Sequence, residues 1–179
     1  LFVAIDGERF NAHQFIPDTI EKGALCVVSH EDLGETDFPY ILVESTGQAL
    51  LDIAKLYRDS FDVKVVGITG SVGKTSTKEM IASVLSGTFR VSKTPANHNN
   101  DIGMPMAILD MPEDTEVAVL EMGMNRENEI GELAETFKPQ YCAVTNIGTA
   151  HIGKLGSRQK IAKKKKKIFN YLTPEGTAL

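Results

Sequence analysis

Residues 63–85, VKVVGITGSVGKTSTKEMIASVL, constrain the fold of this chain more than any other stretch. Val63, Val65, Val66 and Ile68 make a β-branched run of the kind found in a strand buried on both faces. Gly70-Ser71-Val72-Gly73-Lys74-Thr75-Ser76 follows, and Met80, Ile81, Val84 and Leu85 then recur as one apolar face of a helix. Strand, glycine loop, lysine, hydroxyl and helix, in that order, turn successive backbone N–H groups and a helix N-terminus toward phosphate oxygens. Lys74 brings a point charge to the outer phosphates, and the Thr75 hydroxyl suits a Mg²⁺ ion. The position six before Lys74 is Ile68, where the general phosphate-loop pattern has glycine. An ordinary glycine-rich turn is the bland alternative. The flanks favour a nucleoside triphosphate.

Composition narrows the class. The chain has 179 residues, 42% of them hydrophobic, enough for one sizeable core or two modest ones. A net charge of −5 gives no overall basic footprint for nucleic acid. Cys26 and Cys142 sit in apolar runs without metal-ligand spacing and read as reduced core residues. No apolar run approaches the roughly 20 residues of a membrane span, and no signal peptide is visible, so the expectation is a cytoplasmic protein. Leu1 lies within a strand-like pattern, and Leu179 falls where a further strand is starting. The expectation is therefore a piece of a longer protein.

Residues 1–60 read as a small α/β unit. Strands are expected at Phe2 to Ile5, Leu25 to Val28 and Tyr40 to Val43. A helix is expected over 12–22, interrupted by Pro17. A second helix, capped by Ser45 or Thr46, carries Ala49, Leu50, Ile53, Ala54 and Tyr57 as its apolar stripe. His13 and His30 read as surface residues. From residue 61 onward strands (63–68, 89–92, 116–121, 140–145) alternate with helices (74–86, near 102–110, 127–137, 157–172). This predicts an α/β fold, a mostly parallel sheet with helices on both faces, in a domain incomplete at its end.

Ligands of such sheets gather beyond the carboxyl ends of the strands. There the sequence places Asn97, Asn99 and Asn100, which either hold a phosphate or sugar or cap the next helix. Glu121 ends an apolar strand and is placed to hold Mg²⁺ or to sit behind it, and His151 follows the next strand in the same way. In the lysine run 163–167, a solvated basic face is the bland reading. At helical spacing, however, Ile161, Ala162, Ile168, Phe169 and Leu172 define an apolar arc with Lys165 near its middle. Lys163, Lys166 and Lys167 point away, and Lys164 lies on the margin. Burial among like charges would lower the Lys165 pKa and expose a neutral amine.

Taken together, LFVAIDGERF, ITGSVGKTSTKEM, ANHNNDIGMP, VLEMGMN and TNIGTAHIGKLGS followed by IAKKKKKI resemble the ATP-dependent Mur ligases of peptidoglycan synthesis. The segments run in family order over nearly the whole chain. The resemblance implies a sugar-nucleotide-binding domain over 1–60, a central ATP-binding domain over 61–179, and a C-terminal domain absent from this chain. Gly70, Ser71, Val72, Gly73, Lys74, Thr75 and Ser76 would wrap the ATP phosphates. Thr75, Glu121 and His151 would serve Mg²⁺, with Lys74, His151 and Lys165 as catalytic groups. Asn97, Asn99 and Asn100 would face the substrate side of the γ-phosphate, and Glu8, Arg9 and Phe10 would approach the uridine. Lys165 matches the family's carbamylated lysine. The implied partners are UDP-N-acetylmuramoyl-tripeptide and D-alanyl-D-alanine, joined through an acyl phosphate. The family commonly has a small residue where this chain has Lys164, an acid where it has Lys167, and Asp-Gly-His where it has Asn11-Ala12-His13.

Three other readings stay open at this point. A GTPase switch would need an Asn-Lys-x-Asp guanine reader, and no such tetrapeptide occurs. A non-ligating phosphate-loop regulator and another ligase of the family, including a folylpolyglutamate synthetase-like one, share the same phosphate loop.

Overall fold

The computed structural model describes residues 1–7, 11–96, 98–124, 126, 128–150 and 152–179, and only the main chain at 154 and 155. Glu8, Arg9, Phe10, Asn97 and His151 therefore lie outside the described residues. The chain divides into two compact units, Leu1–Ile53 and Ala54–Leu179.

In the first unit, β1 (Phe2–Val3), β2 (Val27–Ser29) and β3 (Tyr40–Leu42) form a parallel sheet in that order. The expected helix over 12–22 begins as a 3₁₀ turn, Ala12–Phe15, and continues as α1 (Ile16–Glu21). Pro17 lies in the first turn of α1, where its missing N–H has no intrahelical partner to lose. Ala4, Ile16 and Val27 form the core, packed by Phe2, Ile20, Leu33, Phe38 and Tyr40. The helix α2 (Thr46–Asp59) spans the division between units, and Ser45 Oγ accepts from Gln48 N at its start.

The second unit holds β4 (Lys64–Thr69), α3 (Lys74–Leu85), β5 (Val91–Lys93), α4 (Gly103–Leu109), β6 (Val117–Glu121), α5 (Glu129–Phe137), β7 (Tyr141–Val144), α6 (Ile152–Leu155), α7 (Arg158–Lys165) and β8 (Thr177–Ala178). The five strands pair in the order β5-β6-β4-β7-β8, every pair parallel. Alternation along β4 divides its contacts. Val66 and Ile68 pack with Ala82, Val117 and Val119 beneath α3, whereas an added Cβ at Gly67 would lie 3.4 Å from Ile168 Cδ1. The sheet is thus covered on both faces, as the alternation predicts.

Two expectations are corrected. The helix over 157–172 is instead α7 followed by a 3₁₀ turn, Lys166–Phe169. With three residues per turn, the tighter segment keeps Ile168 in line with Lys165, and both are buried. The apolar face of α3 is also displaced. Met80 and Val84 are exposed, while Lys78 and Ala82 are buried with Ile81 and Leu85 partly covered. The helix turns Lys78 inward because main-chain carbonyls are waiting for its ammonium there.

Candidate functional site

The connection leaving β4 leads toward β5 and the one leaving β6 leads toward β7, on opposite sides of β4. Such a switch opens a crevice beyond the carboxyl ends of β4 and β6. Residues 70–76 occupy it. Gly73 adopts φ +80° at the N-cap of α3, a left-handed conformation that glycine takes without steric penalty. At Gly70 an added Cβ would fall 1.8 Å from Thr145 Oγ1, so the approach of the β7 loop requires glycine.

That β7 loop braces the phosphate loop at Ser71 and Val72. Asn146 Oδ1 accepts from Val72 N at 3.2 Å, while its Nδ2 donates to Val72 O at 3.0 Å. Thr145 Oγ1 donates to the same carbonyl, Ser71 N donates to Asn146 O, and Gly148 N donates to Ser71 Oγ. Neither Thr145 nor Asn146 stands out in the sequence as a site residue. A polar pair immediately after an apolar strand was the available signal.

Glu121, 2% exposed, is held through three groups. Thr75 Oγ1 donates to its Oε2 and Asn99 Nδ2 to its Oε1, both at 2.8 Å, and its main-chain N donates to Thr94 Oγ1 at 3.0 Å. A hydroxyl beside a carboxylate is an oxygen-only donor set, which fits a hard divalent cation such as Mg²⁺. The buried carboxylate also carries the negative charge that such an ion would offset. Asn100 is occupied differently. Its Oδ1 accepts from Gly103 N at 2.7 Å and Ile102 N at 3.3 Å, the capping role weighed for it. Asn99 and Glu121 thus come together with Thr75, and Asn100 serves α4. Ser76 is exposed on the first turn of α3.

Lys74 Nζ donates to Gly70 O at 3.2 Å, and Lys165 Nζ to the same oxygen at 2.9 Å. Lys165 is 2% exposed, while Lys163 and Lys166 are exposed. Burial, together with the neighbouring Lys74 charge, lowers the Lys165 pKa to about 8.

Among the described residues of the first unit, a polar cluster surrounds His13. His13, expected at the surface, is buried and packs edge-to-face on His30, with Glu31 nearby. Three potential metal donors are close together, but His13 Nδ1 faces Asn11 Oδ1 and its Nε2 faces Ser29 Oγ at 2.9 Å. Both ring nitrogens are already directed at oxygens, so the ring is fixed as a structural group.

A glycine loop leaving a central parallel strand, with the acid of the adjacent strand on its hydroxyl, defines an α/β phosphate-loop nucleotide-binding domain. The Mur ligase middle domain model matches residues 68–179, and the chain belongs to the Mur ligase family. It is 46% identical over 182 residues to UDP-N-acetylmuramoyl-tripeptide–D-alanyl-D-alanine ligase of Synechocystis sp., covering 100% of this chain and 40% of that protein. The Bacillus subtilis ligase of the same name is 42% identical over 181 residues, with the same coverage. Among solved structures, MurF from Acinetobacter baumannii superposes with a TM-score of 0.93 at 35% identity, covering 98% of this chain and 39% of that one. MurF ligase from Thermotoga maritima in complex with ADP gives 0.93 at 34% identity, covering 99% and 41%. The chain spans about 40% of the length of the curated relatives it matches.

Proposed function

We propose that this chain supplies the sugar-nucleotide-binding and ATP-binding parts of a cytoplasmic ligase that joins D-alanyl-D-alanine to UDP-N-acetylmuramoyl-tripeptide during peptidoglycan precursor synthesis. The observation that carries this reading is the convergence of Thr75, Asn99 and Glu121 beside the phosphate loop. The likeness to ligases of that name gives the convergence its substrate class.

In this reading the terminal carboxylate of the tripeptide attacks the γ-phosphorus of ATP. The bond to the β,γ-bridging oxygen breaks, giving an acyl phosphate and ADP. Two anions must approach one another, so Lys74 turns from Gly70 O toward the phosphates and offsets their repulsion. The main-chain N–H groups of residues 70–76 hold the phosphates in line. Asn99, already fixed on Glu121, presents its amide on the side where the carboxylate arrives. Mg²⁺ bound at Thr75 and Glu121, with His151 as a further ligand, would supply charge stabilisation. The amine of D-alanyl-D-alanine then attacks the acyl carbon, and phosphate leaves as the amide forms.

Lys165 fits a carbamate in this scheme. Its buried amine, with a pKa near 8, reacts with CO₂ by releasing a proton, and the resulting anion sits beside the Lys74 charge instead of opposing it. Glu8, Arg9 and Phe10 are assigned to the uridine by the family likeness. The deciding experiment incubates the full-length ligase with the UDP-sugar tripeptide, ATP and D-alanyl-D-alanine, and weighs the product by mass spectrometry. The pentapeptide product with equimolar ADP is expected. ATP hydrolysis without amide formation would overturn the reading.

A further inference from the structure

Lys78 is wholly buried, and neither the phosphate loop nor the acid site makes direct use of it. A buried ammonium is tolerated only when its protons find acceptors. Lys78 Nζ has three: Thr94 O at 2.7 Å, Ala96 O at 3.3 Å and Glu79 Oε1 at 3.2 Å. That number matches the three donors of the group. Two of the acceptors are main-chain carbonyls where the chain leaves β5. Ala96 has φ +39° there, a left-handed conformation unusual for a residue with a Cβ and maintained only when its surroundings enforce it.

Three further contacts of this loop lead to Glu121 or to the residues just after it. Thr94 Oγ1 accepts from Glu121 N, and Asn99 Nδ2 donates to Glu121 Oε1. Asn99 O accepts from Gly123 N at 2.7 Å, just beyond the acid. One turn after the phosphate-loop lysine, α3 therefore holds the exit of β5, and the exit of β5 sets the position of the acid and its amide partner.

We propose that Lys78 is a positioning residue for the γ-phosphate side of the site. Its ammonium fixes the exit of β5 at Thr94 and Ala96 so that Asn99 meets Glu121. The kinetic consequence rests on the ligase reading above, whereas the geometric one does not. Lys78 acts through the loop and touches no phosphate, so its loss impairs transfer of the γ-phosphoryl group more than nucleotide binding.

The test uses Lys78→Met in the full-length ligase, with Lys78→Gln, which retains two donors, taking its place if the first variant does not fold. Failure of both to fold would make Lys78 a determinant of the fold and overturn the proposal. Hydrogen exchange is read first. The amides of His98, Glu121 and Gly123 should exchange about 10-fold faster, while that of Thr77, bonded to Gly73 O, stays within about twofold. Uniform acceleration or no change at these sites would overturn the proposal, and this arm stands even if the wild type proves not to be a ligase. With an active wild type, kcat should fall about 10- to 100-fold with the KM for ATP within about twofold. Combining Lys78→Met with Asn99→Ala should lower kcat no more than about threefold below the worse single variant. An unchanged kcat, or losses that multiply, would mean that Lys78 does not act through Asn99.

Discussion

Lys74 and Lys165 converge on one acceptor, the carbonyl oxygen of Gly70, at 3.2 and 2.9 Å. Burial of Lys165 disfavours its charged form, the Lys74 charge on the same oxygen adds repulsion, and the pKa of Lys165 falls to about 8.

That displacement sets a stability profile. The unfolded chain keeps the ordinary lysine value of 10.5, so between about pH 8 and 10.5 the unfolded state binds more protons than the folded state. Stability therefore rises with pH across this window, and below it burial of the ammonium exerts its full penalty, on the order of 3 kcal/mol. Urea melts in CO₂-free buffer should find wild type gaining on Lys165→Met as pH increases from 7.5 to 10.5 (roughly the span between the two pKa values). Parallel profiles would remove Lys165 as the cause.

Within the run 163–167, activity should depend on one lysine. Lys165→Ala in the full-length ligase is expected to lose about 100-fold or more in kcat, with partial recovery in acetate as a stand-in for the carbamate. Lys163→Ala and Lys166→Ala, which alter exposed side chains, should remain within about threefold. Equal losses in all three would return the run to a solvated basic face.

Glu121→Gln retains the shape of the side chain but removes its charge and one of the two acceptors used by Thr75 and Asn99. The Mg²⁺ concentration for half-maximal activity should rise at least about 10-fold while ADP affinity, measured calorimetrically, changes little. An unaltered Mg²⁺ titration would separate Glu121 from the metal.

Asn146→Ala removes both bonds to the Val72 main chain but leaves the β7 strand intact. ADP should bind about 10-fold more weakly, with a lowered association rate, and the melting temperature should change by only a few degrees. Full retention of ADP affinity would mean that the loop keeps its curl without the side chain.

The order of strands and helices was legible because parallel strands covered on both faces are written as β-branched runs, and β4 and β6 are clear examples. Lys165 could also be picked out, since four apolar neighbours at helical spacing surround it. Lys78 could not. The apolar pattern of α3 gives no sign of it, and its inward position depends on the carbonyls of Thr94 and Ala96, which approach it only once β5 has paired with β6. The same limit applies to Asn100, whose capping of α4 was one of two roles its composition allowed, and to Met80 and Val84, apolar residues on a helix that turned another face inward.

The bonds from Thr145, Asn146 and Gly148 to residues 71 and 72 form from the protein's own atoms. The curl at residues 71 and 72 is therefore settled when the chain folds, and a nucleotide bound as proposed would meet a cradle with few backbone torsions left to freeze. Such a loop spends little of the nucleotide's attraction on ordering itself and holds an entering phosphate in nearly one orientation. The corollary concerns tolerance of change. Substitutions at the tip of β7, which touch no phosphate through their side chains, should alter nucleotide discrimination, because they change the mould rather than the surface that lines it.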